Sequence, residues 1–202
     1  MGETDAGETA VLRADDQCVP ALLEAGWRIT ARSWAAQLDA DRADRRVLRQ
    51  LVERVAPVVV QELRAADLPA VLALDAATVD DYPGSVATQH EALTGSSAAL
   101  SRTRRGFGAW TPSGDLVGTT YLDVDGDTVE TAFTVVARDH RGRGIGTTLK
   151  AASVLALLDE HVVRFRTGGS DDNPAIIAAG TAVGYRRDEE WVTLEPGPVR
   201  RR

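Results

Sequence analysis

The stretch "VVARDHRGRGIGTTLK", residues 135–150, decides how the chain is read. An apolar run enters a short segment holding Arg138, Arg141 and Arg143 together with Gly142, Gly144 and Gly146. A helical pattern follows at once. Backbone amides at a helix N-terminus point along its axis and lack internal partners, so they suit anionic oxygens. Glycine reaches φ > 0 and lets a phosphate approach with no Cβ in the way. Arg141 and Arg143 add positive charge where a diphosphate would sit.

Two other phosphate loops fail on detail. A Walker A loop needs Gly-Lys-Ser/Thr, and Lys150 comes too late. A dinucleotide fingerprint read from Gly142 would need glycine at Thr147, and three antiparallel-looking strands precede the loop where a βαβ unit should start.

Working outward, residues 58–63 read as a strand, and residues 65–77 as a helix with Asp67 as N-cap and Pro69 in its first turn. Residues 78–95 are irregular, with a "DYPG" turn and room for a short helix. Residues 105–111 and 116–124 are two strands joined by "PSGD", and residues 129–137 form a third after the "DGD" turn. The helix after the glycine loop places Ile145, Leu149, Ala152, Leu155 and Leu158 on one face. A strand over 162–167, a helix over 173–184 and a final strand or hairpin over 185–196 close the pattern. The order is mixed α/β rather than the regular alternation of a doubly wound sheet.

Composition narrows the function. The 202 residues carry a formal net charge of -7, which argues against a nucleic-acid partner. No apolar run is long enough for a membrane span, and the first residues do not read as a signal peptide, so a cytoplasmic protein is expected. Cys18 is the only cysteine, so neither an internal disulfide nor a cysteine-based zinc site is expected. The "DVDGD" segment fails as a calcium loop, because Thr128 and Thr134 stand where glycine and glutamate are needed. His90, His140 and His161 are scattered without metal spacing, are read as surface residues, and no metal is expected.

"RGRGIG", residues 141–146, resembles the Arg/Gln-x-x-Gly-x-Gly/Ala signature of the GNAT superfamily of acyl-CoA-dependent N-acyltransferases. The resemblance extends over residues 57–196, and includes the Asn173-led helix that ends in Gly184-Tyr185. It implies a central mixed, mostly antiparallel sheet flanked by helices. It also implies acetyl-CoA as co-substrate, held by Arg141, Gly142, Arg143, Gly144, Ile145, Gly146 and Thr147. Val135 and Val136 would be backbone contacts to the pantetheine arm. Asn173 would bond the same arm or cap its helix, and the two roles can coexist.

In the family a glutamate fourteen residues ahead of the central glycine is the base; here that is Glu130, expected among apolar strand residues that would raise its pKa. The family's usual tyrosine acid falls on Gly180, leaving Tyr185, Tyr121 or water to protonate the thiolate. Asp80, Asp81 and Tyr82 would suit a cationic amine acceptor, or form a plain acidic loop. The expected activity is transfer of an acetyl group to a primary amine of a small molecule in a ternary complex, by a monomer or homodimer. The alternative is a non-catalytic acyl-CoA-binding sensor or partner subunit.

The first 56 residues are expected to be an appendage, and residues 197–202 a disordered tail. Within the appendage, residues 10–14, 19–26 and 27–39 read as strand, short helix and strand, followed by a helix over 44–55. "AGWRITARSW" resembles "VGYRRDEEWV", which suggests that residues 10–40 repeat the closing strand–helix–strand unit, without a glycine loop and hence without coenzyme A binding. Such a fragment cannot form a core alone and must pack on the main domain or on another chain.

Overall fold

The computed structural model describes residues 9–81 and 85–197. Among them, eight strands form one sheet. In chain order they are β1 (Ala10–Arg13), β2 (Trp27–Asp39), β3 (Val59–Glu62), β4 (Arg104–Trp110), β5 (Leu116–Asp125), β6 (Thr128–Val136), β7 (Arg164–Ser170) and β8 (Arg186–Pro196). The five helices are α1 (Cys18–Glu24), α2 (Arg45–Glu53), α3 (Leu68–Ala76), α4 (Ile145–Leu157) and α5 (Pro174–Val183). The strands lie in the order β1-β8-β2-β7-β6-β5-β4-β3. Every neighbouring pair is antiparallel except β6 and β7. The architecture is the mixed, mostly antiparallel sheet that the sequence implies. Over the described part of 78–95 no α-helix forms; a 3-10 helix at Val79–Asp81 and later turns take its place.

β6 and β7 make the opening that matters. Their parallel pairing covers only Thr128 to Glu130 against Arg164 to Arg166. On its other edge β7 pairs with β2 along its whole length, Arg164–Ser170 against Ser33–Asp39. β6 keeps β5, with a register shift after Tyr121/Phe133. The extra residue, Ala132, bends β6 locally, as bulges do. The two strands therefore part, and the β6 edge from Thr131 onward is left without a strand beside it.

β2 is the larger surprise. It is long, and it lies inside the sheet, paired antiparallel with β7 on one side and β8 on the other. Trp34, Ala36 and Leu38 belong to the main core with Leu149, Val154, Leu157 and Phe165. Gly168 shows how close the backbones come: a Cβ there would lie 2.8 Å from the Trp34 carbonyl oxygen. Residues 10–39 thus share the core of the residues that follow.

The pairing has an internal two-fold pattern. Ser33 faces Trp191 at its centre, with Arg32–Val192 on one side and Trp34–Glu190 on the other. The two irregularities fall at Thr30 in β2 and Asp188 in β8, symmetrically about that centre. β1 extends the sheet beside β8 as β7 does beside β2. The strand–helix–strand β1-α1-β2 therefore mirrors β7-α5-β8.

α4 carries more buried surface than its expected stripe. Ile145 and Leu149 are buried, as are Thr148, Lys150, Ala151, Ser153, Val154 and Leu157, whereas Ala152, Leu155 and Leu158 are half-buried. The helix packs on the sheet and also against α2 and α5, so a single-face reading underestimates it. Thr148 Oγ1 donates to the Leu51 carbonyl at 2.8 Å and ties α4 to α2.

Candidate functional site

A cleft of about 470 Å³ opens where β6 and β7 part. Its walls are Thr134, Val135 and Val136 of β6, the loop Arg141–Gly142–Gly144, the first turn of α4, and Asn173, Ile176 and Ala179 of α5. Of the residues expected to hold coenzyme A, Val135, Val136, Arg141, Gly142, Gly144, Ile145, Gly146, Thr147 and Asn173 all line it. Arg143 is exposed and does not.

Local rules build this cradle. Gly142 and Gly144 have φ of 72° and 84°, where side chains are strained. Gly144 is the N-cap of α4 and gives no side-chain cap, so the first amides keep their donors for something else. A Cβ on Gly142 would meet nothing within 4 Å, and one on Gly146 only Val136 at 3.9 Å, so the space above the loop is open. His140 lines the same cleft, and its Nδ1 is buried without a hydrogen-bond partner. Open amides, open space and an orphaned buried nitrogen fit a group rich in acceptor oxygens. His140 is thus not a surface residue; His161 is.

The arginines are arranged differently from expectation. Arg141 donates from Nε to the Val136 carbonyl at 2.9 Å and from Nη2 to Asp81 at 2.7 Å. Arg138 also donates to Asp81. Hydrogen bonds from Arg138 and then Arg141 hold the Asp81 carboxyl below the usual carboxylate range. Asp81 therefore braces the loop from across the cleft rather than offering itself to an amine. Asp80 does not line the cleft, and Tyr82 lies outside the described residues.

A second cleft of about 170 Å³ continues the first and shares Thr134, Asn173 and Ile176 with it. It is lined by Thr131–Thr134 of β6, Thr167–Ser170 of β7, Lys150 of α4 and Thr88–Glu91 from the connection after α3. Lys150 is 1% exposed, and its Nζ donates to Thr167 Oγ1 at 2.8 Å. Burial pushes its pKa down to about 7. No local pattern signals this, because a lysine in an amphipathic helix ordinarily faces water.

His90 is the other unforeseen feature. Its side chain is 9% exposed, against the surface reading, and its Nε2 lies 2.6 Å from Asp75 Oδ1. Asp75 is buried in α3, and its Oδ2 accepts from the Leu93 amide at 2.7 Å. The His90 ring rests 4.4 Å from that of Phe133.

Glu130 is exposed and lines neither cleft, so the expected apolar surroundings are absent. The reason is local: Glu130 sits in the last β6–β7 pair, before the bulge at Ala132 and the opening. Tyr121 is fully buried, its hydroxyl donates to the Ala98 carbonyl at 3.1 Å, and burial raises its pKa to about 12. Tyr185 is also buried, and burial raises its pKa further, against a hydrogen bond with Thr131. Neither tyrosine is set to give up a proton at neutral pH. Asn173 caps α5, accepting from the Ile176 amide at 3.3 Å, while lining both clefts.

A model of the acetyltransferase (GNAT) family matches residues 71–185, more than half of the chain and all of the loop–helix cradle. The chain belongs to the GNAT acetyltransferase family. The family's chemistry is acyl transfer from acyl-CoA, and the GNAT fold is seen across solved structures. The GCN5-related N-acetyltransferase from Kribbella flavida has 17% identity and a TM-score of 0.66 over 93% of this chain and 67% of its own. That from Sphaerobacter thermophilus has 18% identity and a TM-score of 0.68, with 95% and 62% covered. A tandem GNAT protein from the clavulanic acid biosynthesis pathway has 23% identity and a TM-score of 0.62, with 95% and 64% covered. The chain spans about two thirds of the length of these structures. No curated protein matches its sequence. Among the described residues, no helix of this GNAT protein is long and apolar enough to cross a membrane.

Proposed function

We propose that the chain transfers an acetyl group from acetyl-CoA to a primary amine of a small molecule, directly in a ternary complex. One observation carries the reading: the two clefts meet at Thr134, Asn173 and Ile176, at the point where the β6 edge becomes unpaired. A diphosphate on the amides of Gly142 to Thr147 would direct the attached arm along Val135 and Val136. The thioester would then lie at the junction, with the acceptor entering from the smaller cleft. Backbone donors at an unpaired strand edge are suited to polarise the thioester carbonyl. Glu130, exposed and outside both linings, would act on the amine through water.

The two-fold pairing of β1-α1-β2 with β7-α5-β8 supports a related proposal: residues 10–40 are a partial copy of the GNAT closing unit. It has no glycine loop and contributes strands rather than a second coenzyme site.

The test is amine-dependent release of thiol from acetyl-CoA over a panel of small primary amines. Turnover with one or more amines is expected. Stabilisation by coenzyme A with no turnover on any amine would favour a non-catalytic acyl-CoA sensor instead, and no stabilisation would remove both readings.

A further inference from the structure

We infer that Lys150 is the acid that protonates the departing thiolate; the inference rests on the transferase reading above and leaves the acceptor's proton to water and Glu130. The geometry isolates this side chain. Lys150 is 1% exposed, yet it lines the smaller cleft with Thr131–Thr134 and Thr167–Ser170. Among the described residues its Nζ makes one hydrogen bond, to Thr167 Oγ1 at 2.8 Å, and no carboxylate pairs with it. Its other polar contact is the face of Tyr185, whose ring centroid is 5.8 Å from Nζ. An ammonium has three N–H donors, so two are left for whatever enters the cleft. A buried amine without a counter-ion is costly to charge, which makes it a poor choice for a position that only fills space.

The position suits the leaving group. The first turn of α4 lines the larger cleft, and Lys150, four residues after Gly146, lines the smaller one. The helix that would anchor the coenzyme therefore also carries the donor. Gly180 stands where the family's tyrosine acid falls, and burial makes Tyr121 and Tyr185 hold their protons more tightly. Lys150 is the opposite case: burial, the sole cause, lowers its pKa to about 7, below the free thiol's value of about 8.5. Transfer from Nζ to the thiolate then runs downhill near neutral pH. The step balances. The amine nitrogen bonds to the acyl carbon, the carbon–sulfur bond breaks, and the sulfur's new electron pair takes a proton from Nζ. The proton lost by the amine goes through water to Glu130, and solvent water returns one to Lys150, leaving amide and free thiol. The titratable groups facing Lys150 are His90, held by Asp75, and the exposed Glu91 across the cleft, with Tyr185 on its other side. The cleft residues of β6 and β7 carry no charge, and α5 has no charged residue. On α2, Arg45 pairs with Asp159, while Arg46, Arg49 and Glu53 are exposed.

The experiment uses the full chain and has two arms. The first needs no amine: ultraviolet titration of the thiolate in the complex with coenzyme A. In the wild type the bound thiol is expected to ionise about one pH unit below the free one, because a neighbouring ammonium stabilises its anion. In Lys150→Met, which keeps the bulk and removes the charge, coenzyme A should still bind and that shift should vanish. The second arm uses acetyl-CoA and the best amine of the panel. Lys150→Met should lower kcat about 10²-fold, the low end for acid–base catalysis, since a thiolate is a tolerable leaving group. Lys150 acts when protonated, so the wild-type kcat/KM should fall as pH rises through about 7, and the variant should lack that limb. A lysine that only packs would move neither the bound thiol nor the limb. A wild-type complex whose thiol ionises as it does in free solution would overturn the inference, as would Lys150→Met at wild-type rate and profile. Acetylation of Lys150 itself by acetyl-CoA, read by mass spectrometry, would overturn it too. All three leave the transferase reading intact. A wild type inert toward every amine would remove both.

Discussion

Gly146→Glu is expected to weaken coenzyme A binding severely while leaving the free protein at least as stable. Gly146 lies in the first turn of α4 with no positive φ, and a Cβ there touches only Val136, at 3.9 Å. Replacing a helical glycine contributes about 1 kcal/mol. A carboxylate near a helix N-terminus adds about 0.3–1 kcal/mol more. Both effects stabilise the helix. The same carboxylate points into the cleft that the diphosphate would enter. Like charges about 4 Å apart cost about 4 kcal/mol at the effective dielectric of a protein surface. Affinity should therefore fall by roughly 10²–10³-fold. Calorimetric titration with coenzyme A and a thermal melt of the free variant check both halves. A variant that melts no lower than wild type but still binds would place the diphosphate elsewhere.

Removing residues 1–43 is expected to destroy the fold rather than trim an appendage. β2 supplies the strand between β7 and β8, and β8 would lose its partner on that side. Trp34 and Leu38 leave the main core with it, each 3% exposed. Within the intact chain, Trp34→Ala alone should cost about 3–5 kcal/mol. Denaturant unfolding measures the point variant. Gel filtration and circular dichroism of the truncated chain measure the rest. A soluble, cooperatively unfolding chain that begins at Asp44 would show that β2 is dispensable.

The glycine loop, the three strands before it and the Asn173 cap were legible because each rests on local rules: turn residues, period-two alternation and helix ends. The repeat between residues 10–40 and the closing segment was legible as a likeness. Its place in the sheet was not, because β2 pairs with residues more than a hundred positions away and no local signal encodes that register. Lys150 looked like an ordinary helical lysine, and only packing of α4 on three sides buries it. His90 and Asp75 are fifteen residues apart across an irregular stretch without periodicity. The partners of Asp81 were hidden for a related reason: its charge is visible in the sequence, but not that Arg138 and Arg141 hold it. Glu130 was placed by counting from the glycine loop, and a count carries no information about the bulge that decides what the strand faces.

The central claim is that main-chain donors of residues 142–147 cradle a diphosphate and so lay the thioester along the unpaired edge of β6. Amide-resolved NMR during titration with coenzyme A tests this most directly. The account predicts saturable shifts concentrated at Gly142, Gly144, Ile145, Gly146 and Thr147, extending along Val135 and Val136, and absent from β1 and α1. Saturable binding that leaves those amides unmoved, or no binding at millimolar coenzyme A, would contradict it.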